Sequence, residues 1–146
     1  LPTGRMDRLD LTANATSSTI LLDQIQLGSL DATVNAGDVR LELGTGSIDQ
    51  THASINAGAM RVIVGAAGLR GSMTVNAGGI DLCVPGDANL RLAVTDQLTF
   101  GHNLAASGLS RVEGGAWVRQ GSGPAVDLAV EGNAAALTLN PNGGCR

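Results

Sequence analysis

The sequence predicts an all-β fold: a single-stack parallel β-solenoid of about seven coils, each of 18–21 residues. Three observations predict it. A motif recurs as Val34-Asn35-Ala36-Gly37, Ile55-Asn56-Ala57-Gly58 and Val75-Asn76-Ala77-Gly78, with spacings of 21 and 20 residues. Apolar residues alternate with polar ones on both sides of that motif, the period of a strand with one buried face. The 21 glycines are spread along the chain, and Trp117 and Phe100 are its only aromatics. Such a composition suits many tight turns around narrow aliphatic layers and fits a helical core poorly.

Taken in order, the coils begin at Ala13-Asn14-Ala15, one period before Val34. They continue after Val75 to Val94, to Val112-Glu113-Gly114-Gly115 and to Val130-Glu131-Gly132-Asn133, at spacings of 19, 18 and 18 residues. One strand leads into each motif: Leu30, Ala32 and Val34; Leu69, Gly71, Met73 and Val75; Leu90, Leu92 and Val94; Val126, Leu128 and Val130. A second follows it: Val39, Leu41 and Leu43; Met60, Val62 and Val64; Ile80, Leu82 and Val84; Ala135, Leu137 and Leu139. Gly44-Thr45-Gly46-Ser47, Gly65-Ala66-Ala67-Gly68 and Pro85-Gly86-Asp87-Ala88 supply the intervening turns. No coil can bury its apolar side alone, so residues 1–146 read as one domain, closed by stacking at ~4.8 Å. The pattern weakens between about residues 98 and 123, where Thr99, Gly101, Asn103, Trp117, Arg119 and Gly121 stand at core positions. A distorted or looped-out part of the stack is expected there.

Charge and composition exclude several functions. The net charge is −4, and all nine basic residues are arginines without a clustered stripe. With two aromatics there is no stacking platform for single strands, so nucleic acid is not an expected partner. No apolar run approaches the ~20 residues of a membrane span. Leu1-Pro2-Thr3-Gly4 reads as irregular chain at a trimmed start, with no signal peptide visible.

Few residues suggest chemistry. Asn14, Asn35, Asn56 and Asn76 fall at one corner of successive coils, where stacked amides form an internal structural ladder. Arg40, Arg61 and Asp81 form an outward column, read as a solvated face with a cross-strand ion pair. His52 and His102 lie far apart and lack ligands at metal spacing, so no metal or cofactor is expected. No nucleophile elbow, phosphate loop or zinc-protease motif occurs. Asp81 and Asp87 have no separate acid and base environments. The chain is expected not to be an enzyme.

Cys83 takes an outward position between Leu82 and Val84, and Cys145 ends the flexible run Asn140-Pro141-Asn142-Gly143-Gly144. Two free thiols are one reading. A Cys83–Cys145 disulfide is the other and is the expectation carried forward; it implies an oxidising compartment.

The stretch from Val75 through Pro85, with Leu90-Arg91-Leu92, resembles the putative-adhesin or "toastrack" β-solenoid domains of bacterial envelope proteins. Asn103-Leu104, Gly108-Leu109, Trp117 and Val126-Asp127-Leu128 resemble the same domains, and the closing Asn140–Cys145 run looks like the C-terminal module of cell-wall-active antibiotic-response membrane proteins. The resemblance covers nearly the whole chain from Leu9 on. It implies a domain without catalytic residues at the cell envelope, often following transmembrane helices. Bactofilins, polymerising β-helices with a shorter repeat, are the rival likeness.

Two functions are therefore expected. One is a non-catalytic extracellular or envelope module that contacts protein or cell-wall surfaces. The other is a structural subunit stacking end to end into a filament. Met6-Asp7-Arg8-Leu9-Asp10-Leu11 is strand-like and uncapped, so association through an end coil, as a homo-oligomer or head-to-tail filament, is expected.

Overall fold

The computed structural model describes residues 4–95, 100–102, 104, 108–112 and 116–140. Every regular element among them is a strand: β1 (Gly4–Leu21), β2 (Ile25–Glu42), β3 (Ser47–Ile55), β4 (Ala59–Ile63), β5 (Leu69–Cys83), β6 (Asn89–Thr95), β7 (Phe100–His102), β8 (Ser110–Arg111), β9 (Ala116–Arg119) and β10 (Ala125–Leu139). The fold is all-β, and its long strands pair in parallel within one sheet.

The register explains the repeat. Gly4 lies beside Ile25, Gln26 beside Ser47 and Ile55 beside Val75, so the chain returns to its own flank after each repeat. β1, β2, the β3/β4 pair and β5 form four successive rungs. The β2 rung bends three times. Leu27 and Leu30 are both buried although three residues apart, so the alternation skips a step at Gly28 and the strand turns there. The Asn-Ala-Gly motif makes the second bend, and the turns at residues 22–24 and 43–46 make the third.

At the second bend the glycines are required. Gly37, Gly58 and Gly78 have φ of 103°, 114° and 121°, a region that side chains disfavour. They also stack on one another, and a Cβ on Gly58 or Gly78 would collide with the carbonyl oxygen of the glycine in the preceding rung.

The inward positions stack into columns. Ile20, Leu41, Val62, Leu82 and Leu139 form one of them, and its middle three members are fully buried at 0% exposure. Val34, Ile55 and Val75 form a second, also at 0%. With so few aromatics, these columns of aliphatic side chains are the core.

The order of the rungs departs from the seven successive coils that the repeat predicts. β10 lies between β5 and β6, parallel to both: Val126 sits beside Leu69 on one side and Leu90 on the other. β7 pairs with β10 at Ala135–Leu137. The described residues thus make six parallel rungs, with the last segment of sequence as the fifth. The physical reason is that every rung carries the same alternation, so β10 satisfies an interior slot as well as a terminal one. Leaving β5, the chain climbs two rungs through the Pro85–Ala88 turn. There Gly123 N–H donates to the Asp87 carbonyl at 2.8 Å and Asn89 N–H to the Pro124 carbonyl at 2.9 Å.

The irregular stretch is not a sixth coil. β9 runs antiparallel to β6, placing Trp117 beside Leu92, and β8 runs antiparallel to β9. Val112, expected at a core position, is 38% exposed. Trp117 packs half-buried against the core. Thr99 and Asn103 lie outside the described residues.

Candidate interaction surface

The four asparagines meet as neighbours along the stack. Asn35 Nδ2 donates to Asn14 Oδ1 at 2.6 Å, Asn56 to Asn35 at 2.7 Å and Asn76 to Asn56 at 2.8 Å. Asn133 Nδ2 continues the chain onto Asn76 Oδ1 at 3.1 Å. The row is exposed, so it lines an edge of the stack and is not internal. Asn133 was recognisable as the last repeat of the motif. Its place beside Asn76 was not, since that depends on the insertion of β10.

The position of Cys83 in β5 alternates outward, and its side chain is only 2% exposed. Among the described residues no cysteine is free. Cys145 lies outside the described residues.

On the face built by the second half of each rung, Thr19, Arg40, Arg61, Asp81 and Thr138 fall in register. Arg61 donates to Asp81 Oδ2 at 3.0 Å and Arg40 to Glu42 Oε1 at 3.2 Å, each group about one-third exposed. These pairs relieve the repulsion between two arginines on adjacent rungs. Beside this column runs another of shorter side chains: Ser17, Asp38, Ala59 and Gly79. The step between the two leaves a groove of about 410 Å³ lined by Ser17, Asp38, Arg40, Ala59, Arg61 and Asp81, among others. Two acids and two arginines leave its walls without net charge. Such a groove offers donors and acceptors to a polar, weakly charged ligand. The alternation gave its outward residues, but its depth comes from the register.

Other candidates disperse. Ser72 Oγ lies 2.7 Å from His52 Nδ1 on the next rung, and the side chain of His102 lies outside the described residues. Asp81 is held by Arg61, and Asp87 belongs to the turn after β5. Among the described residues no cluster of His, Cys, Asp and Glu is placed to hold a metal. No helix there is long and apolar enough to cross a membrane.

No protein-family model matches the chain, and neither does any curated protein. Among solved structures, the chain is similar to "a putative cell adhesion protein from Clostridium sporogenes", with a TM-score of 0.72 over 93% of this chain and 91% of that one. The identity is 6%, so the likeness is one of fold.

Proposed function

We propose that the chain is a non-catalytic β-solenoid module of the toastrack kind, acting in the bacterial envelope or outside the cell, where it contacts protein or cell-wall material. The groove between the Arg40–Arg61 column and the small-residue column carries the reading. It is a polar, shaped recess on a sheet, with Arg61 paired to Asp81 inside it and Arg40 paired to Glu42 at its side. The fold it shares with a protein described as an adhesin supports the same reading. The reading includes a Cys83–Cys145 disulfide, which would belong to an oxidising compartment.

Cosedimentation with purified cell walls and with intact bacteria tests this function. The chain should pellet with one of them, and Ala59→Arg, which fills the groove floor from a half-buried position, should weaken that binding about ten-fold. Failure to pellet with either would overturn the proposal, as would full binding by the variant. For the disulfide, natively sourced protein alkylated without reductant should gain no alkyl groups; two alkylated thiols would remove it.

A further inference from the structure

The two ends of the stack are unlike. At one end β6 is covered by antiparallel β9 over Leu90–Ala93. At the other, β1 pairs only with β2, leaving one edge of an 18-residue strand unpaired among the described residues. Every second residue of that edge presents its N–H and C=O along the stack axis with no backbone partner.

The end layer is also apolar. Leu9, Leu11 and Ile20 are only partly buried, while Leu30, Ala32 and Leu41, on which they stack, are 0–2% exposed. Met6 is 43% and Leu21 61% exposed, two of the three exposed large hydrophobics among the described residues. A stack of this kind needs its terminal layer covered.

We infer that the open edge of β1 pairs with β1 of a second copy, forming a two-fold dimer through antiparallel strands centred on Leu9. Geometry limits the options. Two identical edges can meet either antiparallel, about an axis normal to the sheet, or parallel with the faces exchanged. Only the first keeps the apolar side of both copies on a shared core. Head-to-tail stacking would need an open edge at the far end too, where β9 covers Leu90–Ala93 of β6.

Charge fixes the register. Arg8 and Asp10 both face outward, with side chains 62% and 66% exposed. Centring on Leu9 sets Arg8 opposite Asp10 of the second copy, and Asp10 opposite its Arg8, with Leu9 against Leu9 on the inner side. Centring on Arg8 or on Asp10 would instead place like charges together, which is destabilising. The charges that would otherwise protect this edge thus become self-complementary in one arrangement. In the single chain Arg8 bridges to Asp10 at 3.0 Å and to Asp31 at 2.8 Å, so the dimer extends an existing row of alternating charge.

Sedimentation of the 146-residue chain tests the inference, with circular dichroism confirming the fold of each variant. A concentration-dependent dimer and nothing larger is expected. Arg8→Asp and Asp10→Arg should each weaken it about ten-fold or more, and the double charge swap should restore it to within about three-fold. Leu9→Cys should cross-link to itself under mild oxidation, since directly opposed residues lie within ~4.5–5.5 Å, while Ala13→Cys should not. A monomer up to millimolar concentration would overturn the inference. So would a ladder of higher oligomers, or a double swap as weak as the single variants.

Discussion

Thr51 occupies an inward position on β3, flanked in its column by Leu30 and Gly71. It is 0% exposed, and its Oγ1 has no hydrogen-bond partner among the described residues. Gly71 contributes no side chain that could pair with it. A buried hydroxyl without a partner loses its hydration and gains nothing in return. Thr51→Val keeps the shape and removes that loss, so it should stabilise the protein by about 1 kcal/mol. Denaturant titration reads this directly; a lower midpoint in the variant would show that the hydroxyl is satisfied. The alternation reads position 51 as inward, but which residue lies above and below it is a matter of register. That is why the unpaired hydroxyl was invisible in the sequence while the core columns around it were legible.

The turns joining one rung to the next are held by side chains as well as backbone. Asp23 Oδ1 accepts from the Thr45 hydroxyl at 2.6 Å and from the Thr45 amide at 2.9 Å, while Thr45 Oγ1 accepts from the Gln24 amide at 3.1 Å. The turn of one rung therefore clasps the turn of the next. These bonds, the hydroxyl's first and the amide's second, stabilise the charged carboxylate and lower the pKa of Asp23. A depressed folded-state pKa gives stability that is fully present above the ordinary aspartate value and lost as pH falls through the depressed one. Carboxyl resonances followed against pH should show Asp23 titrating below the usual aspartate range, and Thr45→Val should move it back up. An unchanged midpoint in that variant would dissociate the shift from this clasp. Glycine and Asp at these places announced turns; the partner one period away was implied by the repeat but not its atoms.

At the scale of the whole molecule, β10 is the piece that closes the fold. It joins β5 to β6 and supplies Val126, Leu128, Val130, Leu137 and Leu139 to the core. Its pairing spans long stretches of chain: Asn133 and Asn76 are 57 residues apart in sequence. Contacts of such separation form only after a large loop-closure cost, so the insertion of β10 is expected late in folding. Once in place it is an interior rung, paired on both sides. Native-state hydrogen exchange, at dilution where the chain is monomeric, should find the most protected amides in β5 and β10 and the least protected long strand in β1. Slowest exchange in β1 under those conditions would mean that its edge is covered within the chain. Removing residues 125–146 should strip protection from β6, which has no other parallel partner among the described residues.

The sequence by itself determined the strands, the inward and outward sides of each and the glycine bends, because these follow from local alternation and from backbone conformations that few residues adopt. It also placed the asparagines at one corner, since equal spacing in a stacked repeat puts equal positions in line. It did not determine the order of the rungs. All rungs carry nearly the same pattern, so an interior and a terminal slot for Val126–Leu139 are equivalent to any reading of hydrophobic period. Only the tertiary structure chose between them, through the Pro85–Ala88 and Gly123–Pro124 contacts and the antiparallel cover that β9 places over β6. The burial of Cys83, the neighbour of Asn133, the depth of the polar groove and the difference between the two ends depend on position within the assembled stack, where contacts between distant segments decide what each repeat touches.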